Sequence, residues 1–300
     1  MYFRTWIASA VATGTLVAGG VVLTSQGSEA VTPTPSASTS SATSSATSGT
    51  AVDGAESTDD EAGDVEATEP STSELESIVT DSRYAVAVLD VDTGETLTYG
   101  DDGTFDTASI VKVAILAALL HQHEEAGTEL SATESAQATA MIEQSDNASA
   151  TALFEAVGGK TGLDAFLTSI GLTDTVVGSN GSWGLTQTTP TDQLTLLQVV
   201  LGDGGVLSDE SQAYARSLMG DVVDTQNLGV SAAADDADEA VLKVGYLQRS
   251  ATGLWDVTSV GEIEADGHTY FVAVLADGSA SFDAGVSLVD AVAVAAVDGM

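Results

Sequence analysis

From Ser109 to Leu120 the chain reads SIVKVAILAALL, and apolar side chains fall on nearly every side of a helix drawn through it. Such a helix has no face to give to water, so other elements must wrap it and build a core around it. Its one charged residue is Lys112, three positions after Ser109. Residues i and i+3 share a helix face, which sets an ammonium beside a hydroxyl in apolar surroundings. Desolvation lowers the cost of the neutral amine. A neutral amine can take the proton that otherwise keeps a serine from acting as a nucleophile. At a helix N-terminus, Ser109 also lies where developing negative charge is favoured. The bland alternative is a serine N-cap followed by a lysine reaching for solvent.

Two other polar clusters stand out. Ser145-Asp146-Asn147 falls between helical stretches, where a second serine would relay a proton to a leaving group and Asn147 would hold an amide carbonyl. The alternative is an ordinary helix start, with Asp146 or Asn147 capping a helix from Ala148. Asn147-Ala148-Ser149 also fits the glycosylation acceptor pattern, a match that chance explains. Lys243-Val244-Gly245 ends a strand. A lysine there would bind a carboxylate, and Gly245 would let a substrate backbone approach the strand edge.

The remaining pattern gives an order of elements. A capping box at Ser73 starts a short helix to about Thr80. Tyr84 to Val91 and Glu95 to Tyr99 make a hairpin around Thr93-Gly94. Helices are expected over 109–124, 131–143, 148–157 (stopped by Gly158-Gly159), 163–170, 191–201 and 208–219, with a loop from Gly178 to Pro190. Strands follow over 240–244, 254–263 and 270–275, and Phe282 to Val297 closes as a helix. The expected fold class is α+β: an antiparallel sheet built from both chain ends with flanking helices, beside a trimmed, mostly helical lobe.

Lys and Arg number 7 against 45 Asp and Glu, a formal net charge of -38. That field repels nucleic acid and anionic lipid, so neither is an expected partner. There is no cysteine, which excludes disulfides and thiolate chemistry. Arg4, an apolar stretch from Trp6 to about Thr24 and the small residues around Ser28-Glu29-Ala30 read as an export signal over 1–30. The stretch is also nearly long enough for an uncleaved anchor, the one expected membrane contact. Residues 31–70, Ser/Thr-rich and then acidic, read as a disordered linker. The catalytic domain is expected over 71–300, in a secreted or cell-envelope-associated monomer.

The order S-x-x-K, SDN, K-x-G resembles the penicillin-recognising serine enzymes, namely class A beta-lactamases and penicillin-binding proteins. The resemblance spans roughly Leu75 to Val297, and Gln187 to Pro190 (QTTP) is similar to the Thr-rich end of that family's omega loop. It implies an acyl-enzyme on Ser109 with Lys112 as base or proton carrier. Ser145 would shuttle the proton, Asn147 would bind the acyl amide and Lys243 would orient the carboxylate. Backbone N–H groups of Ser109 and Tyr246 would form the oxyanion hole. No cofactor is implied, and the implied partner is a small beta-lactam or a cell-wall peptide.

Three departures bear on activity. Class A enzymes place a water-activating glutamate in the omega loop, whereas Thr175 to Pro190 holds no Asp or Glu, so deacylation is expected to be slow. Val244 replaces the threonine of K-T-G, and losing a hydroxyl from a polar site costs on the order of 1 kcal/mol or more. The interval from Ser109 to Ser145 is short. Arg249 or Ser250 is the candidate to replace the missing anion contact. The same-class rival is a D-Ala-D-Ala-type peptidase, and the rival from another class is a binding domain without turnover. His121 and His123 fall on opposite sides of a helix and cannot share a metal ion. His268 lies in a turn without the ligand spacing of a zinc site. Trp183 and Trp255 are expected in core or rim packing rather than a cleft.

Overall fold

The computed structural model describes residues 70–202 and 205–300; the expected signal and the linker as far as Glu69 lie outside them. The hairpin forms as expected from β1 (Arg83–Asp90) and β2 (Thr96–Gly100). Its turn is held by Asp90 Oδ1, which accepts from the N–H groups of Asp92 and Thr93 at 2.8 and 2.9 Å. Three strands from the other end of the chain join it: β5 (Val241–Gln248), β6 (Trp255–Ala265) and β7 (His268–Ser279). The sheet runs β2-β1-β7-β6-β5, and every pairing is antiparallel. β1 lies along β7 from Arg83↔Asp277 to Asp90↔Tyr270, so the expected union of both chain ends is present.

Both faces of this sheet are covered, which explains why its strands read as continuous apolar runs. Ala85, Ala87, Phe271, Ala273 and Leu275 face one core, and Val86, Val88, Tyr270, Val272 and Val274 face another. The second core is closed by α1 (Ser73–Ser77) and α8 (Phe282–Val297). The first is closed by the helical lobe. At its centre lies α2 (Val111–Ala126), in which every side chain from Val111 to Leu120 is buried, Lys112 included. Around α2 stand α3 (Ala132–Glu143), α4 (Asn147–Ala156), α5 (Gly159–Ser169), α6 (Pro190–Val200) and α7 (Asp209–Gly220). Leu116 is fully buried here, and cutting it to alanine would cost about 2–5 kcal/mol.

Where pattern and structure differ, the reason is local. α2 does not begin on Ser109; a single 3-10 turn, Ala108–Ile110, precedes it. α5 begins at Gly159 rather than near Leu163. Gly158 and Gly159, both at positive φ (+95° and +59°), stop α4 as expected but lead straight into α5. There Gly162 allows a tight joint, because a Cβ on it would lie 1.8 Å from the Val157 carbonyl oxygen. β5 continues through Gly245 to Gln248, its register on β6 outweighing the poor strand preference of glycine. Inside the expected loop, β4 (Gln187–Thr188) pairs with β3 (Phe105–Asp106). Two-residue ladders are too short to leave a period in the sequence. Among the described residues no helix is long and apolar enough to cross a membrane.

Candidate active site

The Lys112 ammonium, carried into the core by α2, is where the polar clusters meet. Its Nζ donates to Ser109 Oγ at 3.0 Å, to the Ser145 carbonyl at 2.7 Å, to Ser145 Oγ at 2.9 Å and to Asn147 Oδ1 at 2.8 Å. Four acceptors exceed the three protons of an ammonium, so at least one proton is shared. None of the four is a carboxylate. Burial therefore dominates and pushes Lys112 down to about 8, against the opposing pull of the Asp146 charge. Ser109 is half-buried and open to solvent on one side.

Local backbone aims these groups. Asp146 does cap α4, its Oδ1 accepting from Ser149 N at 2.7 Å, so the bland reading of that residue is right. The cap itself fixes Ser145 and Asn147, on either side of it, toward Lys112. The bland reading of Ser109 is not right, since its hydroxyl caps no helix and instead accepts from Lys112. Ala108 (φ +46°) and Ser145 (φ +56°) both sit in the left-handed region, which is rare for residues other than glycine. Strain of this kind persists where surrounding structure over-determines it.

β5 supplies the opposite wall. A Cβ on Gly245 would lie 2.6 Å from Ser109 N and 2.7 Å from the Thr107 carbonyl oxygen, so only glycine lets the strand edge pass this close. Thr258 on β6 fastens the two segments, its hydroxyl lying 2.9 Å from the Thr107 carbonyl and 3.3 Å from that of Gly245. Lys243 is fully buried and donates to the Val244 carbonyl at 3.1 Å and to Gln226 Oε1 at 3.3 Å. Desolvation, followed by the charge of Lys112, pushes Lys243 down to about 7. Gln226 Nε2 in turn donates to the Tyr246 hydroxyl at 3.2 Å, and the Tyr246 ring meets Phe282 edge-on at 4.8 Å.

Ser109, Lys112, Ser145 and Asn147 are thus joined by direct hydrogen bonds. Gly245 lies against Ser109, Tyr246 follows it on the strand, and Lys243 reaches the group through charge rather than contact. Gln226 and Thr258 carried no signal in the sequence, being single polar residues in a loop and a strand. Trp183 was expected in core or rim packing. It packs partly against the core, yet its ring also stands over Lys112, 5.2 Å from Nζ to centroid. Arg249 requires a correction: it does not stand free for a substrate anion. Its guanidinium pairs with buried Asp106 and, at 2.7 Å, with buried Asp256, so its charge is already spent.

Other candidates carry less. His121 pairs with Glu125 at 3.8 Å and His123 with Glu134 at 3.4 Å. His268, Asp90 and Asp92 bring ligand atoms within 4.8 Å of one another. Both Asp90 oxygens are already engaged, by Asp92 N, Thr93 N and His268 Nδ1. A cavity of about 950 Å³ opens along β1 and β2 beside Arg83, Tyr99 and Asp174, and it touches none of the lysine-centred group.

Solved structures share the fold. A class A beta-lactamase from Bacteroides cellulosilyticus is 19% identical over 73% of this chain and 91% of its own, with a TM-score of 0.62. A PBP-A variant solved as its acyl-enzyme complex with penicillin G is 22% identical over 75% and 92%, at 0.63. The TLA-1 extended-spectrum beta-lactamase is 17% identical over 76% and 97%, at 0.68. No curated protein matches the sequence. The Beta-lactamase enzyme family matches residues 70–137 and 126–300, which takes in every side chain of the lysine-centred group. This chain therefore belongs to the Beta-lactamase enzyme family.

Proposed function

We propose that Ser109 forms an acyl-enzyme with beta-lactams or related amides and esters, and that water releases the acyl group slowly. The observation that carries this is the Lys112 amine within 3.0 Å of Ser109 Oγ, with no carboxylate among its partners. In its neutral form Lys112 takes the Ser109 proton as Oγ adds to the carbonyl carbon. The Ser109 and Tyr246 N–H groups would receive the oxyanion. Ser145, 2.9 Å from the same amine, passes the proton to the leaving nitrogen as the carbon–nitrogen bond breaks. Asn147 would hold the acyl amide, and Lys243 would meet a substrate carboxylate.

Slow release follows from the acid-free stretch between Thr175 and Pro190. No side chain there can draw a proton from water. The same observation favours a D-Ala-D-Ala-type peptidase or penicillin-binding role over an efficient lactamase. Export to the cell envelope, through the apolar stretch after Arg4, fits such a substrate. Labelling with a fluorescent penicillin followed by denaturing electrophoresis tests acylation, with S109A as control. Turnover of a chromogenic cephalosporin tests release. Label on the intact protein that S109A abolishes, with little turnover, is the expected result; absence of label would leave a binding domain.

A further inference from the structure

We propose that Trp183 is a positioning residue that holds the Lys112 ammonium under its ring and so sets how readily the lysine gives up its proton. This rests on the acyl-enzyme reading only for its consequence, since the contact itself is a property of the resting protein. Trp183 lies in a one-turn 3-10 helix, Trp183–Leu185, on the loop between α5 and α6. The ring centroid is 5.2 Å from Lys112 Nζ, within the range at which the negative face of an indole attracts a cation. The ring is tethered from the far side, because Nε1 donates to Thr151 Oγ1 on α4 at 3.2 Å. Thr151 Oγ1 in turn donates to the Asn147 carbonyl at 2.9 Å. The turn packs on the segment that carries Ser109, where a Cβ on Gly184 would lie 3.8 Å from the Ala108 carbonyl oxygen.

Ser109, Ser145 and Asn147 offer oxygens to the ammonium, and the indole offers its π face. An aromatic face stabilises only the charged form, whereas an aliphatic group of similar bulk excludes water without that attraction. Two charges bear on Lys112: Asp146 favours the ammonium, and Lys243 on β5 disfavours it. Ionisable groups on the packed helices have partners of their own in Glu134 with His123, Lys160 with Asp164 and Arg216 with Glu262, whereas Glu143 is raised by burial and by the like charge of Asp221. Asp192 on α6 accepts from Thr175 Oγ1 at 2.6 Å.

The test reads the lysine directly. The chain has three lysines, Lys112, Lys160 and Lys243, so the full protein labelled at lysine Cε gives three titrating NMR signals, assigned with K160R and K243R. Trp183→Leu should move the Lys112 midpoint down by about half a pH unit or more, about threefold in its proton affinity. Trp183→Phe, which keeps a π face, should move it less. Thr151→Val frees the indole while keeping the ring, and should give a smaller downward shift even if Trp183→Leu does not fold. An unmoved Lys160 signal would show an intact fold, while Lys243, coupled to Lys112 by charge, should move slightly the other way. A Lys112 midpoint that stays fixed or rises in Trp183→Leu, or in Thr151→Val where that variant alone folds, overturns the proposal. Failure of the wild-type protein to take penicillin label would sink the acyl-enzyme reading and leave this one standing.

Discussion

Lys112 and Ser145 are 33 positions apart, yet one ammonium meets both the carbonyl and the hydroxyl of that serine, at 2.7 and 2.9 Å. The contact welds the buried helix α2 to the head of α4, and the pair stands where a proton leaving Ser109 would have to travel.

Lys112 and Lys243 need opposite protonation states, which sets the pH response. Burial first, moderated by Asp146, brings Lys112 to about 8, and its base form is the neutral amine, so the acylation rate should climb as pH rises through that value. Lys243, lowered to about 7 by burial and by Lys112, needs its proton to hold an anion. Capture of a carboxylate should therefore weaken as pH passes about 7. A carboxylate-bearing probe should give a bell, and a neutral ester only a rising limb. Stability carries the same sign: above about pH 7 and up to about 10.5 the unfolded chain binds more protons, so folding should strengthen with pH in that window. Acylation kinetics with both probes, together with melting curves from pH 6 to 10, check this.

Among the described residues Gln226 is the one side chain that Lys243 hydrogen-bonds, and it links that lysine to Tyr246. Gln226→Leu leaves a buried ammonium with only the Val244 carbonyl. The expected outcome is a rise of about tenfold in the concentration of carboxylate probe needed for half-maximal acylation, corresponding to about 1.4 kcal/mol. The maximal rate should change little, because Ser109 and Lys112 keep their contact. A fall in maximal rate alone would place Gln226 in the proton path instead.

Gly245 is where the two walls come closest. Gly245→Ala puts a methyl 2.6 Å from Ser109 N and 2.7 Å from both the Thr107 carbonyl oxygen and Thr258 Oγ1. Backbone on one side and a buried hydroxyl on the other cannot both retreat. Acylation should fall by about a hundredfold or more, the size of effect seen when an oxyanion donor is lost. Rates on folded G245A protein, verified by circular dichroism, decide the matter.

Salt should stabilise this protein. With a formal net charge of -38, like charges repel across the surface, and the compact state bears that cost. The described cations outside the site already have carboxylate partners: Arg83 with Asp277, Lys160 with Asp164, Arg216 with Glu262 and Arg249 with Asp256. None is left to offset the excess. The melting temperature should rise between about 10 mM and 1 M sodium chloride as the screening length shrinks from about 30 to 3 Å. A melting temperature that falls with salt would show that these pairs outweigh the repulsion.

Local pattern determined most of the architecture. Apolar residues on every side of 110–120 require a wrapped helix, and two short apolar runs around Thr93-Gly94 require a hairpin. Both are statements about neighbours in sequence, and the structure agrees to within a few residues. Three residues likewise suffice to pair Ser109 with Lys112 on one turn. Sequence could not say that Arg249 is consumed by Asp106 and Asp256, that Gln226 is the partner of Lys243, or that Trp183 stands over Lys112. Each of those depends on chain segments brought together by the sheet that joins β1 to β7 and by the loop pinned through β3 and β4. Contacts of that kind leave no period or spacing to read, because their geometry exists only after the chain has closed on itself.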